Sequence, residues 1–418
     1  MSRRVVVTGM GVLSPVGNDL QSFWGSLCAG TSGIGPVTLF DTSAYPTKIA
    51  GEVKGIDFTK FVEPKEARRT DRAILLALVA ARMAMEQSKL DMSKEDPERC
   101  ATIVGAGVGG IATLEAEEKK LFERGPGRVS PFLIPMMIPD MPAGRISMEF
   151  GLKGPNFAVV SACASSSHSI GEAFLHIKSC MADVAVTGGT EAAIVPISFA
   201  GFCSMGALSK RNDIPEKASS PFDKKRDGFV MGEGAAIVVL EELEHARRRN
   251  ATIYAEMLGY GATGDAFHIS APDPEGTGAA GCMRIAVKTA GLEPKQIDYI
   301  NAHGTSTELN DKIETAAIKK VFGDAAKSVA VSSTKSMTGH MLGASGAIEF
   351  IASVMAIKEG IIPPTINYED PDPDCDLNYT PNTAVKRNVR YAISNSFGFG
   401  GHNACLALGS YEVSTEGK

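Results

Sequence analysis

Val159-Val160-Ser161-Ala162-Cys163-Ala164-Ser165-Ser166-Ser167, with the helical stretch that runs on to about Cys180 and the strand-like Asp183-Val184-Ala185-Val186, decides the fold class. A short apolar run ends in small residues and a cysteine, and a helix begins where it stops. In α/β sheets that junction, at the carboxyl end of a strand, is where ligands are held. The pattern recurs in Val329-Ala330-Val331-Ser332-Ser333-Thr334-Lys335, which is followed by a Gly-rich turn through His340 and a helical stretch from about Ala344 to Lys358. Two such units predict a duplicated α/β core with a site between its halves.

Outward from these units, further Val/Ile/Ala runs that stop at small or polar residues alternate with helical stretches: Val5 to Val7, Ala101 to Val104, Ile237 to Leu240, Ile297 to Asn301 and Cys405 to Leu408. Continuous apolar strands interleaved with helices indicate sheets covered on both faces. At 418 residues, 44% hydrophobic and 22% charged, the composition is that of a globular chain long enough for a large core. Forty-two basic against 48 acidic residues give 42 − 48 = −6, the wrong sign for a nonspecific polyanion binder, so nucleic acid is not expected as a partner. Eight scattered cysteines, without a Cys-x-x-Cys pair or zinc spacing, predict reduced thiols and a cytoplasmic location. The opening Met-Ser-Arg-Arg-Val-Val-Val lacks the length and cleavage site of a signal peptide. No apolar run approaches the ~20 residues that cross a bilayer, so no membrane association is expected.

Cys163 is the candidate nucleophile. A thiol at a helix start feels the positive end of the helix, which is expected to favour the thiolate, and its small neighbours leave room for substrate. His303, in Asn301-Ala302-His303-Gly304-Thr305-Ser306-Thr307, and His340, in Lys335-Ser336-Met337-Thr338-Gly339-His340, sit among glycine and hydroxyl residues rather than core hydrophobes. Three such turns at strand ends suggest a Cys-His-His site with Lys335 nearby. Gly105-Ala106-Gly107-Val108-Gly109-Gly110 matches a dinucleotide fingerprint, but a Gly-Pro-Gly-Arg turn and a Pro-rich loop follow it in place of a strand ending in an acid. Its backbone is expected instead to pass close to the site, with Gly107 and Val108 touching substrate. Asn395-Ser396-Phe397-Gly398-Phe399-Gly400-Gly401-His402 has the glycine density that lets backbone amides face a ligand.

Taken together, these motifs, with Pro221-Phe222-Asp223, Arg226-Asp227-Gly228-Phe229 and Gly232-Glu233-Gly234, resemble those of the β-ketoacyl-acyl-carrier-protein synthases of the thiolase fold, across nearly the whole chain. Within that family the likeness is to the type II synthases of dissociated bacterial fatty-acid synthesis. The resemblance implies a duplicated five-layer α-β-α-β-α core, with residues 1–250 carrying Cys163 and residues 251–412 carrying His303 and His340. It implies a catalytic Cys163, His303 and His340, a supporting Lys335–Glu314 ion pair, and an oxyanion hole from the amides of Cys163 and Phe399. Thr305 and Thr307 would contact a pantetheine arm, and Phe399 would gate the acyl pocket. No metal and no redox cofactor is implied. The partners implied are an acyl carrier protein and a second copy of the chain in a homodimer.

Glu308, where the family usually has proline, and His402, where threonine is common, are departures that touch no catalytic residue type. The chemistry implied is a decarboxylative Claisen condensation of malonyl-carrier with an acyl group held on Cys163. A polyketide ketosynthase shares these residues, whereas a non-catalytic chain-length subunit of a ketosynthase pair would lack the cysteine. Lys65, Arg68, Arg69 and Arg72 are spaced so that one helix would present them on adjoining faces, and Arg124 and Arg128 flank a loop. These basic residues are the expected docking site for an acidic carrier.

Overall fold

The computed structural model describes residues 3–412. Its main sheet uses β1 (Val5–Leu13), β2 (Cys100–Gly105), β3 (Asn156–Val159), β4 (Val184–Glu191) and β5 (Gly234–Glu242) from the first part of the chain. From the second part come β6 (Ala255–Gly264), β7 (Tyr299–Asn301), β8 (Ala330–Ser332), β9 (Tyr391–Gly398) and β10 (His402–Gly409). Their order across the sheet is β8-β7-β9-β10-β6-β1-β5-β4-β2-β3. Read from either edge inward, it is the third, second, fourth, fifth and first strand of each set. The pairing directions repeat as well. β2 runs parallel to β3 and β4, as β7 does to β8 and β9, and the fifth strand of each set is antiparallel to both neighbours. The expected duplication is thus a repeat of topology, joined where Val5–Val7 of β1 pair with β6.

The helices that set the site are α1 (Arg72–Ser88), α2 (Ile111–Arg124), α3 (Ser165–Lys178), α4 (Thr277–Thr289), α5 (Glu308–Phe322) and α6 (Ser345–Glu359). α3 and α6 pack on each other between the two halves of the sheet; α1 covers β1 and β5 on one outer side, and α4 covers β6 and β10 on the other. This is the five-layer α-β-α-β-α sandwich. α6 is buried along nearly its whole length, as a helix enclosed on all sides must be. In each half, glycines let the outer helix touch the first strand. A Cβ at Gly9 or Gly11 would fall 2.2 or 2.0 Å from the carbonyl oxygens of Ala84 and Ala80 on α1, and one at Gly259 or Gly261 would meet those of Ala286 and Cys282 on α4 at 2.4 and 2.1 Å. The glycines of the opening Val-Val-Val-Thr-Gly-Met-Gly therefore serve helix-on-strand packing.

One local expectation fails. Residues 65–72 do not form a single helix: a turn of helix at Pro64–Ala67 ends, and α1 starts anew at Arg72. Asp71 forces the break, since its carboxylate caps the Ala73 N–H and also accepts from Thr113. No helix among the described residues is long and apolar enough to cross a membrane.

Candidate active site

Cys163 lies in a tight 3₁₀ turn, Ala162–Ala164, between β3 and α3. Ala162 adopts φ 50°, a left-handed conformation that costs a non-glycine residue energy and is held by the surrounding packing. The equivalent turn of the second half, Leu342–Ala344 before α6, repeats the device with Leu342 at φ 45°, and there Gly343 stands where Cys163 stands in the first. Across from Cys163, β9 ends at Gly398, where a Cβ would meet Ser161 O at 2.7 Å and Cys163 N at 3.2 Å. Only glycine lets this strand end approach so closely. The amides of Phe399 and of Cys163 itself consequently both face the sulfur.

His303 and His340 stand edge to face, ring centroids 5.3 Å apart, in one cavity of about 550 Å³ with Cys163, Phe397 and Phe399. Phe229 packs edge-on to His340 and Phe397 to His303. Burial holds both imidazoles well below the ordinary histidine range, and the Lys335 cation pushes in the same direction. Both rings are therefore neutral at pH 7. Lys335 Nζ donates to the His303 carbonyl at 2.6 Å and lies 3.3 Å from His303 Nδ1. An ammonium can only donate, so this contact assigns the lone pair to Nδ1 and the proton to Nε2. The His340 Nδ1 is held by Ser345 Oγ at 2.9 Å.

The expected Lys335–Glu314 pair is not formed. Lys335 pairs instead with Glu349 of α6, both fully buried. Glu314 accepts the backbone N–H groups of His303 (2.9 Å) and Gly304 (2.8 Å) and the side chain of Asn395 (3.1 Å). It thus fixes the backbone of the His303 turn without meeting the lysine. Glu349 had one visible signal: it is the only charged residue in the run Ser345–Ile357, and a lone charge in a fully buried helix requires a partner. Ser345 and Asn395 gave no such signal.

The thiolate expectation is also overturned. Burial pushes the Cys163 thiol up to about 12, against the pull of Lys335 and the two amides, and the carboxylate of Glu191 adds to the rise. The resting group is the thiol. Thr305 and Thr307 line the same cavity with their hydroxyls 2.9 Å apart. Arg226 holds that loop through the carbonyls of Thr307 (3.2 Å) and Glu308 (3.1 Å). Gly107 and Val108 form part of the wall. Their amides, and that of Gly109, are already taken by the carboxylate of Glu191, which fills the place a pyrophosphate would need in a dinucleotide fold. Among the described residues no group of three or more His, Cys, Asp or Glu is placed to hold a metal ion. Asn301 Oδ1, Glu349 Oε2, Ser394 Oγ and Asn395 Oδ1 are buried without hydrogen-bond partners among the described residues.

Family models agree with this geometry. The N-terminal domain model of β-ketoacyl synthases matches residues 2–246 and the C-terminal domain model matches residues 254–369. The chain belongs to the β-ketoacyl synthase family. It is 52% identical over 410 residues to a 3-oxoacyl-[acyl-carrier-protein] synthase 2 of Synechocystis, covering 98% of this chain and 99% of that one. Among solved structures it is similar to the ishigamide ketosynthase/chain length factor, with TM-score 0.93 and 38% identity over 99% of this chain and 100% of that one. It is also similar to a type II polyketide ketosynthase solved in complex with its acyl-carrier protein and bound to the hexaketide, with TM-score 0.90 and 34% identity over the same shares of the two chains.

The synthase's basic residues are only partly as expected. Arg72 turns inward and pairs with Glu233 at 2.6 and 2.7 Å, which removes it from any surface patch. Lys65 and Arg69 border a separate depression, where the Arg69 guanidinium lies 4.7 Å from the centre of the Phe132 ring. Arg68 lies in the turn just after the short helix, and Arg124 and Arg128 stand at the end of α2 and in the next turn. None of these five lines the Cys163 cavity.

Proposed function

We propose that this synthase is a 3-oxoacyl-[acyl-carrier-protein] synthase II, which extends a fatty acyl chain by two carbons through decarboxylative condensation with malonyl-carrier. The observation that carries the reading is a pair of neutral imidazoles sharing one cavity with a cysteine whose sulfur faces two backbone amides. In the first half-reaction the Cys163 thiol attacks the acyl-carrier thioester, and the tetrahedral oxyanion is met by the Cys163 and Phe399 amides. The carrier leaves as a thiol, so the proton Cys163 gives up is the one the leaving sulfur gains. In the second, His303 Nε2–H and His340 donate to the malonyl thioester oxygen, and loss of carbon dioxide leaves an enolate there. The enolate carbon attacks the acyl-Cys163 carbonyl, the C–S bond breaks, and Cys163 takes up a proton, for which its high pKa suits it.

Thr305 and Thr307 would hold the pantetheine arm, with Arg226 fixing their loop. Lys335 acts through His303, holding the tautomer that donates, and Glu314 acts through the His303 backbone. The partner is an acyl carrier protein, recognised in part by Lys65, Arg68, Arg69, Arg124 and Arg128. A homodimer is supported by β3, whose outer edge is unpaired among the described residues and which runs directly into exposed Val160. Free cysteines throughout fit a reducing cytoplasm. The presence of Cys163 with both histidines disfavours a non-catalytic chain-length role. Mass spectrometry of the protein after incubation with acyl carriers of graded length tests the reading: a single acyl adduct on Cys163 is expected, and an adduct on Cys180 or Cys203 overturns it.

A further inference from the structure

Glu191, the last residue of β4, is fully buried and takes no part in the steps above. Among the described residues its carboxylate forms no ion pair. It accepts four backbone N–H groups instead: Gly107 at 2.8 Å and Gly343 at 3.0 Å on one oxygen, Val108 at 3.1 Å and Gly109 at 3.3 Å on the other. These come from two turns of different halves, the Gly107–Gly109 wall of the cavity and the Leu342–Ala344 turn that follows His340. The two turns touch closely. A Cβ on Gly343 would fall 2.2 Å from Gly107 N and 2.7 Å from Glu191 Oε2, and one on Gly107 would fall 2.6 Å from that oxygen and 3.4 Å from Ala162 O. A carboxylate is the one side chain of this size that offers acceptors on both oxygens. Burial pushes it up to about 7 against the pull of the four N–H bonds, which favour the form that accepts on both oxygens.

We propose that Glu191 is a positioning residue for acyl-chain selection, clamping the Gly107–Gly109 turn to the Gly343 turn so that Val108 stands clear of the space beyond Cys163. This rests on the synthase reading above. The clamp draws the turn's amides toward β4; once it is released, the turn relaxes into the cavity, where Val108 meets an acyl group long enough to reach it and a short one passes beneath. Glutamine does not substitute. In either orientation its NH₂ faces two N–H donors, so half of the clamp is lost.

The test is acylation of Cys163 by hexanoyl- and hexadecanoyl-carrier, read by mass spectrometry in wild type, Glu191→Gln and Glu191→Asp. The ratio of long- to short-chain rates is expected to fall at least tenfold in Glu191→Gln, with short-chain acylation as the internal reference. A uniform loss at both lengths, or an unchanged ratio in a folded variant, overturns the proposal. Should Glu191→Gln not fold, Glu191→Asp, which keeps the charge but withdraws it, must show the same direction. Hydrogen exchange on the wild-type protein supplies a readout free of substitutions. The Val108 and Gly109 amides are expected to exchange as slowly as those of β4, and exchange at the rate of an open loop refutes the clamp. Failure of the wild-type protein to form any acyl adduct would count against the synthase reading and leave the exchange result standing.

Discussion

Replacing Lys335 by methionine removes one member of a fully buried ion pair and leaves Glu349 without its partner. A lone buried carboxylate avoids its desolvation penalty by taking up a proton. Holding a glutamate neutral at pH 7 costs about 3.7 kcal/mol, at 1.36 kcal/mol for each pH unit above an ordinary value of about 4.3. At pH 5.5 the same step costs about 1.6 kcal/mol. The sign follows from proton counting: the folded variant holds a proton that the unfolded chain releases, so its stability falls as pH rises above about 4.3. With an unfolding entropy of ~2.1 cal/mol/K per residue over 418 residues, the drop in Tm is at most about 4 °C at pH 7 and about 2 °C at pH 5.5, and it is smaller than these limits because burial already raises the wild-type Glu349 to about 7 against the pull of Lys335. Thermal unfolding of wild type and Lys335→Met at the two pH values measures it. The double variant Lys335→Met/Glu349→Leu should recover most of the loss, because an apolar replacement of a whole buried pair is well tolerated. Lys335→Met/Glu314→Leu should not, since Glu314 serves backbone N–H groups. A pH-independent loss, or rescue through Glu314, would refute the assignment of the pair.

His303→Ala or His340→Ala should slow malonyl-carrier decarboxylation by about a hundred- to a thousandfold, the cost of one oxyanion donor, and slow acylation of Cys163 far less; equal losses in both steps contradict the division of labour. Because burial raises the Cys163 thiol, its alkylation by iodoacetamide should climb about tenfold per pH unit from pH 6 to 9. A plateau below pH 8 would mean a thiolate already present at rest. Arg68→Glu/Arg69→Glu should raise the apparent KM for carrier-bound substrate at low salt and leave alkylation of Cys163 unchanged, as a docking contact that works through encounter rate requires; equal turnover at low salt sinks the docking role. Val160→Asp, which puts a charge beside the open edge of β3, should convert a dimer to a monomer by light scattering, and an unchanged mass would place the interface elsewhere.

The elements legible in the sequence were those set by neighbours along the chain. The junctions before α3 and α6 show as apolar runs that end in small residues, and the histidine turns show as glycine among hydroxyls. What depended on packing between distant elements was not legible. Lys335 chooses Glu349 over Glu314 because α6 lies behind its turn, and no spacing records which of two buried glutamates a layer brings near. Glycines 107 and 343 mark tight places, but that one carboxylate joins them follows only from where β4 ends. The expected patch helix at 65–72 failed for a local reason that was readable, Asp71 as a cap. The expected thiolate failed because a favourable helix end is outweighed by burial, which the sequence around Cys163 does not reveal.

The repeated strand order bears on how the chain is made. Cys163 emerges from the ribosome early, with the whole first set of strands, whereas β9 and β10 are the last strands synthesised, and β10 must slot between β9 and β6. The amide of Phe399 arrives with that final hairpin. Cys163 and its own amide are therefore made long before the second amide that would stabilise charge on a bound acyl carbonyl. Translation order thus leaves the oxyanion site half built until the closing strands are in place, at the cost of the slow, long-range pairing that such a topology imposes on folding.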